Sequence, residues 1–339
     1  KTRGTSLGFN QVGITDTNLA TAERHLLNWL DDGQHGTMDW MARHGTKRSR
    51  PADLVEGTIR VISVRMDYLP DTAQNSESVL EDPSAAFISR YALGRDYHKV
   101  LRNRLQRLAE EIQNKIGDFG FRVFTDSAPV LEKPLAEKAG LGWIGKHTNV
   151  INKEAGSWFF LGELYTDLEL PVDTPATPHC GSCHACIDVC PTDAIVAPFK
   201  LDARRCVSYL TIEHEGSIAE EFRAPMGNRI YGCDDCQLVC PWNSFAAPTN
   251  ETDFLPRENL DTATLLDLFG WDETEFLQRT EGSAIRRIGH ERWLRNIAIA
   301  LGNGPSNSNV LSALGNKRQT ASPMVSEHID WALAQLAPT

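Results

Sequence analysis

Cysteine is absent from the first 179 residues of this 339-residue chain and from everything after residue 240, so all eight cysteines crowd between Cys180 and Cys240. Long apolar runs are lacking too. None approaches the ~18 residues of a membrane span, and the opening Lys1-Thr2-Arg3-Gly4-Thr5-Ser6 leads into no secretory core. The expectation is a cytoplasmic protein with no membrane partner, a setting in which eight cysteines do not make a disulfide framework. Positive charge is short as well: 34 Lys and Arg face 45 Asp and Glu, a net charge of -11. That balance excludes a general, charge-driven nucleic-acid binder, which would neutralise phosphates with clustered basic residues.

What is present is enough for several domains, since 41% of the residues are hydrophobic. Charge is uneven along the chain. Arg90, Arg95, Lys99, Arg102, Arg104 and Arg107 face only Asp96 in their stretch, whereas Glu251 to Thr280 holds eight acidic residues against two basic ones. Arg286, Arg287, Arg292 and Arg295 then restore positive charge. Each basic run reads either as a local anion-binding surface or as a solvated helix face.

Breaks in composition divide the chain into residues 1–172, 173–250 and 251–339. The first part mixes strand-like runs such as Ile59 to Val64 with a helical stripe of Leu101, Leu105, Leu108 and Ile112, and reads as an α/β body that handles substrate. Asp173-Thr-Pro-Ala-Thr-Pro178 is a linker, because its prolines continue neither a helix nor a central strand. After Pro241 to Asn250 the pattern turns helical. Trp293, Ile297 and Leu301 share a face, Gly302-Asn-Gly-Pro305 stops that helix, and another runs from about Ser326 to Leu336. Paired helices of this kind read as a HEAT-like repeat or as a plain helical hairpin packed on the body. The whole is expected to be α+β.

The middle segment carries the strongest signal. Cys180-Gly-Ser-Cys183-His-Ala-Cys186-Ile-Asp-Val-Cys190-Pro191 fits C-x2-C-x2-C-x3-C-P, in which three thiolates wrap one iron-sulfur cube and the fourth reaches a neighbouring cube. A second copy, Cys233-Asp-Asp-Cys236-Gln-Leu-Val-Cys240-Pro241, lacks its first cysteine, and Cys206 is the one left to replace it. The crossed pattern then assigns Cys180, Cys183, Cys186 and Cys240 to one 4Fe-4S cluster and Cys190, Cys206, Cys233 and Cys236 to another. Two zinc sites are the competing reading, since C-x2-C pairs suit tetrahedral zinc, but zinc needs neither the interleaved triplet nor the Pro after each last cysteine. Two adjacent clusters make a one-electron relay, which calls for an acceptor elsewhere in the chain.

Residues outside the cysteines point to that acceptor. The stretches Arg90-Tyr-Ala-Leu-Gly-Arg-Asp-Tyr-His98-Lys-Val-Leu101, Asp126-Ser-Ala-Pro-Val-Leu-Glu-Lys133 and Ala139-Gly-Leu-Gly-Trp-Ile-Gly-Lys-His-Thr-Asn149 resemble the epoxyqueuosine reductase family. So do the double-cluster segment and Arg295-Asn-Ile-Ala-Ile-Ala-Leu-Gly-Asn303, so that nearly the whole chain is covered. The resemblance implies a cobalamin enzyme that reduces epoxyqueuosine to queuosine at the wobble position of a tRNA anticodon. It also implies a reductive-dehalogenase-like cobalamin-binding body, a ferredoxin-like two-cluster domain, and a C-terminal helical repeat that holds tRNA. An external low-potential electron donor is a further implied partner, and a monomer is the default state.

By the same resemblance Asp126 is the proton donor, and Thr148 and Asn149 lie at the corrin edge. A carboxyl facing a corrin and an apolar pocket is expected to have a raised pKa. Local sequence offers another use, with Asp126 or Ser127 capping a helix that opens at Pro129 and is kinked by Pro134. The glycines from Gly140 to Gly145 suit close approach to a flat ligand or a plain loop. His98 is placed among the cofactor-pocket or structural residues and not as a cobalt ligand, because Leu101 stands where the axial-histidine motif has Gly. Arg286, Arg287, Arg292 and Arg295 are the expected phosphate contacts, with Lys317 and Arg318 beyond them. Two other activities fit parts of the chain, a reductive-dehalogenase-like oxidoreductase and a simple iron-sulfur electron carrier. The carrier would leave about 280 residues without a task.

Overall fold

The stripe of Leu101, Leu105, Leu108 and Ile112 lies on the helix Tyr97–Ile116 of the computed structural model, which describes residues 1–337. Asp96 opens the helix by accepting from the His98 backbone N–H, and Gly117 in the left-handed region ends it. Its apolar face packs on a four-stranded sheet in the order Gln11–Thr15, Arg60–Asp67, Phe159–Thr166, Phe121–Phe124. Leu101 and Leu105 are wholly buried there, each worth roughly 2 kcal/mol of apolar burial. Every pairing in the sheet is antiparallel. The α/β expectation for this body therefore holds as a mixture of helix and strand, without the parallel crossover unit that the label often implies.

Both faces of the sheet are covered, which is why the Phe159–Thr166 strand is buried along its full length. Phe160 and Leu164 meet the long helix, while Phe159, Leu161 and Tyr165 meet the helix Glu132–Lys138 and the segments beside it. Glu163 alternates onto that second face and is a fully buried carboxyl. The helix begins at Glu132, so neither Asp126 nor Ser127 caps it, and Asp126 lies in a turn after the Phe121–Phe124 strand. Pro134 sits in the first turn, where a backbone N–H has no partner to lose, and produces no kink.

The cysteine segment folds as two similar loops, each with one short helix, Ala185–Asp188 and Asp235–Leu238. The C-terminal region is built around the helix Gly289–Gly302, buried at every position from Trp293 to Gly302. A helix wrapped on all sides needs several covers. These are Leu265–Gly270, Ser308–Arg318 and Pro323–Gln335, together with Val207–Ile212 and the strand Arg229–Tyr231. One apolar core thus joins residues of the 86–93 loop, the cysteine segment and the C-terminal helices. The last helix starts at Pro323, capped by Ser322, three residues before the expected start. The Ser308–Arg318 helix was not anticipated, although Asn307, which accepts from the Val310 N–H, is its cap signal. Among the described residues no helix is long and apolar enough to cross a membrane.

Candidate active site and cluster ligands

All eight cysteines are free thiols, and four of them share one cavity. Cys180, Cys183, Cys186 and Cys240 line one cavity of about 490 Å³ together with His147, His179, Trp242 and Phe245. Its walls are tied together from outside the segment, because Lys146 Nζ donates to the carbonyls of Gly181 (2.8 Å) and Cys183 (2.7 Å). Burial, with Cys180, Cys240 and Cys183 alongside, pushes the Cys186 thiol up to about 11. The remaining set lies deeper in the fold in that Cys206 and Cys233 pack against the large apolar core, although Cys186 of the first set is the one cysteine buried outright. Burial pushes the thiols of Cys206, Cys233 and Cys236 up, helped by Cys190 at Cys206, by Asp235 and Cys206 at Cys233, and by Cys206, Asp234, Cys186 and Cys190 at Cys236. Thiols in such places ionise when a cation compensates them, as iron does. Among the described residues no three His, Cys, Asp or Glu side chains are grouped as one metal ion requires.

The Cys233–Cys236 loop is fastened to the N-terminal body by Asp234, which accepts from Ser89 Oγ (2.5 Å) and from the Arg90 N–H (2.8 Å). From there an aromatic array leads away. Tyr91 lies between Tyr231 (6.2 Å) and Tyr97 (6.1 Å), and Tyr97 stacks flat on Phe160 at 4.0 Å and on His98 at 4.1 Å. Tyr97 then donates its hydroxyl to Asp126 Oδ2, and His98 Nε2 lies 2.7 Å from Asp126 Oδ1. Asp126, 40% exposed, is thus the open end of a buried array that starts at the deeper cysteine set.

The state of Asp126 departs from expectation. Burial raises its carboxyl, but the hydrogen bonds and charge of His98, the Tyr97 hydroxyl and the Arg287 charge together leave it below the ordinary value. The predicted upward shift falls on its neighbours instead. Burial, with the charges of Asp126 and Glu163, holds Glu132 well above its usual range, and burial pushes Glu163 up to about 8 despite a hydrogen bond from Ser63. His98 is pushed up to about 9, because Asp126 and Asp96 outweigh the opposing effect of burial.

Thr148 and Asn149 sit in the turn between the strands Trp143–Ile144 and Val150–Ile151. Thr148 has φ 68°, a left-handed conformation that a β-branched residue seldom adopts outside functional sites. Asn149 Oδ1 accepts from Lys133 Nζ at 3.3 Å, which brings the turn beside Glu132. The neighbouring glycines are crowded by the chain itself. A Cβ at Gly140 would lie 2.7 Å from the Thr174 carbonyl, and one at Gly142 would lie 2.3 Å from that of Ile151, so the chain's own backbone fills that space.

A sequence profile for the family described as epoxyqueuosine reductase QueG, DUF1730, matches residues 48–127, and one for a 4Fe-4S double cluster binding domain matches residues 179–243. The epoxyqueuosine reductase of Xanthomonas campestris pv. campestris is 62% identical over 335 residues, 99% of this chain and 94% of that protein. This chain belongs to the epoxyqueuosine reductase family. Its activity class is accordingly that of an oxidoreductase. Among solved structures, an epoxyqueuosine reductase with an epoxyqueuosine-modified tRNA-Tyr stem loop matches at TM-score 0.90 and 26% identity, covering 99% of this chain and 88% of that one. An epoxyqueuosine reductase from Bacillus subtilis, with its catalytic aspartate loop swung out of the active site, matches at 0.89 and 26% over the same shares.

Against the family reading, the arginines expected at phosphate are the largest correction. Arg295 is wholly buried and donates to the carbonyls of Leu210, His214 and Gly216 and to Asn296, so it clamps the chain that follows Cys206. Arg292 is spent on the carbonyls of Ile288, Ile212 and Arg287, and Arg287 pairs with Glu213. Arg318 pairs with Asp330, and Lys317 lies over the Phe269 ring. Arg286 alone of the four is exposed with a single backbone contact, to Leu277. The other basic run behaves differently. Lys99, Arg102 and Arg107 are exposed on the long helix and have no ion pair among the described residues. Tyr97, Asp96, Glu132 and Glu163 are site residues that sequence reasoning missed. Asp96, Tyr97 and Glu132 were within reach, since they lie in the quoted stretches that hold His98 and Asp126, whereas Glu163 joins the site only through folding.

Proposed function

We propose that this chain reduces epoxyqueuosine in tRNA to queuosine, with electrons relayed through two 4Fe-4S clusters to a cobalamin and with Asp126 as the group that protonates the departing oxygen. The observation that carries the reading is the connected array from the deeper cysteine set through Tyr91 and Tyr97 to Asp126. The array ends on a part-exposed acid, which supports a role for it at the end of the proposed relay. The relative caught with a displaced catalytic aspartate loop supports the assignment, since Asp126 also lies on a loop between a strand and a helix.

Cys180, Cys183, Cys186 and Cys240 would hold the outer cluster, and Cys190, Cys206, Cys233 and Cys236 the inner one. The chain's residues also fit a cobalamin. Thr148 is held in a strained backbone state and Asn149 is fixed by Lys133, beside Glu132, whose Oε2 is buried without a protein partner. Such groups suit the amide-rich rim of a corrin. Bound cobalamin supplies a strongly reducing, nucleophilic metal at carbon. The protein contributes the rest: Tyr97 and His98 orient the Asp126 carboxyl, and the stacked Phe160, Tyr97 and His98 rings exclude water from one side of it.

For the tRNA, Lys99, Arg102 and Arg107 with Arg286 are the proposed phosphate contacts, replacing the buried Arg295. The loop before Arg286 meets the start of the long helix, where the Asp96 N–H donates to the Gly282 carbonyl at 2.7 Å. A base must be splayed from the anticodon loop to reach Asp126. The test is anaerobic turnover of epoxyqueuosine-containing tRNA with a low-potential chemical reductant. Wild type is expected to form queuosine, and Asp126→Asn to be slower by about 10²–10⁴-fold. Undiminished conversion by the variant would remove Asp126 from its role.

A further inference from the structure

The cavity that holds Cys180, Cys183, Cys186 and Cys240 is walled in large part by side chains that offer only carbon, among them Ile151, Ala185, Pro241 and Phe245. His147 differs from these walls. It is 4% exposed, it lines the same cavity, and its two ring nitrogens are in opposite states. Nδ1 accepts the backbone N–H of Asn149 at 3.1 Å, inside the turn between Trp143–Ile144 and Val150–Ile151. Nε2, on the edge of the ring away from that bond, is buried and has no hydrogen-bond partner among the described residues.

The bond at Nδ1 decides where the proton sits. A ring nitrogen that accepts carries no hydrogen, and a proton added there would set two N–H groups against each other. The neutral ring therefore holds its hydrogen on Nε2. A buried N–H without an acceptor is costly, so the site calls for one. The ring has little room to turn away, because a Cβ at Gly145 would lie 3.2 Å from His147 Cε1 and this edge rests on the backbone of its own turn.

We propose that His147 donates its Nε2–H to a sulfur of the outer cluster and so raises that cluster's potential, while Nδ1 fixes the tautomer by holding the turn. The inference rests on the cluster part of the functional reading given above. Sulfide and thiolate sulfurs accept hydrogen bonds, and the reduced cluster is one charge more negative than the oxidised one, so the bond favours the reduced state. His147 keeps its proton throughout. One electron arrives from the external low-potential donor and one leaves toward the acceptor. Lys146, the preceding residue, already donates to the Gly181 and Cys183 carbonyls, so one turn serves the cavity twice. His179, the other histidine of the wall, is exposed and has its Nε2 3.1 Å from Thr177 Oγ1. Trp143 Nε1 is also buried without a partner, but that ring packs edge-on against His179 and Trp242 and does not itself line the cavity.

Two substitutions separate the donor from the turn. Asn places an acceptor near the position of Nδ1 and reaches no further, so His147→Asn keeps the bond to the Asn149 N–H and loses the donor. Gln places an amide near the position of Nε2, so His147→Gln keeps a donor and loses the turn bond. Spectroelectrochemical titration of the anaerobically loaded full chain reads both clusters, the outer wave being the one lost in Cys183→Ala. In His147→Asn the outer cluster should be about tenfold harder to reduce, the worth of one hydrogen bond, which is about 59 mV more negative for one electron. His147→Gln should recover most of that shift, and the inner wave should not move in either. Pulsed EPR of reduced wild type carrying nitrogen-15 histidine should show a coupled histidine nitrogen that is lost in His147→Asn; the wild-type spectrum stands even where a variant fails to fold. An unshifted outer wave in His147→Asn, a His147→Gln wave as low as that of His147→Asn, or no coupled histidine nitrogen in wild type overturns the proposal. Negligible iron in wild type would instead sink the cluster reading.

Discussion

The two cysteine sets share a spacing but not an environment. Cys183 is exposed and Cys180, Cys186 and Cys240 share its open cavity, whereas the Cys233–Cys236 loop is pinned under Ser89 and Arg90 by an Asp234 that is 1% exposed. Nothing in the cysteine spacing announces that asymmetry. It arises because the second loop packs against the N-terminal body and the C-terminal helix core, while the first meets mainly the Lys146 turn and the surface. The difference assigns a direction to the proposed relay. In that proposal electrons would enter at the cluster nearer the surface and leave at the one beside Tyr91 and Tyr97.

The sharpest way to break the comparison is to remove one ligand from each set. Cys206→Ala should cost the inner cluster, abolish turnover and lower the melting temperature strongly, because Cys206 contacts the large core shared with the C-terminal helices. Cys183→Ala should also stop donor-driven turnover but leave the fold nearly as stable as wild type. Iron analysis should give about four atoms per chain for each variant against about eight for wild type. Equal loss of stability in the two variants would show that burial of the second set has no structural consequence.

A smaller effect is expected at Arg295, and it sharpens the point, since this residue holds the inner side alone. Arg295→Met removes the donor from the buried carbonyl of Leu210 and from those of His214 and Gly216 nearer the surface, a loss of about 2 kcal/mol by the usual penalty for an unsatisfied buried group. Denaturant unfolding measures it. Binding of tRNA should be unchanged at equal folded concentration, whereas Arg286→Ala should weaken binding without affecting stability.

Arg295 also shows where sequence reading stops. The helix that bears it was legible, because Trp293, Ile297 and Leu301 mark one face; that its remaining faces are buried as well depends on Val207–Ile212 and Arg229–Tyr231 arriving from far away in sequence. Charge in a run therefore says little about exposure. The cysteine pairing and the Leu101 stripe were legible because short spacings and helical periodicity are local. Asp126 was located by resemblance, but its ionisation was misjudged, since desolvation is a general expectation and the opposing contacts from His98 and Tyr97 are particular to the fold. For the glycines of the Gly140 to Gly145 stretch, the sequence left a ligand and a plain loop both open, and the crowding at Gly140 and Gly142 comes from Thr174 and Ile151, distant or folded-back residues that no local pattern names.

The smallest effect should lie on the exposed side, at Lys146. Its ammonium donates to the carbonyls of Gly181 and Cys183 at a solvent-facing position, where water can take over both bonds. Lys146→Met should therefore cost less than about 1 kcal/mol of folding stability. The same change removes a positive charge next to the outer cluster, and that charge favours the reduced, more negative state. The potential of the outer cluster should consequently become more negative, read by spectroelectrochemical titration, while that of the inner cluster stays put. An equal shift at both clusters would mean that the two share one electrostatic environment, and the distinction between an outer intake and an inner terminus packed on the core would have to be given up.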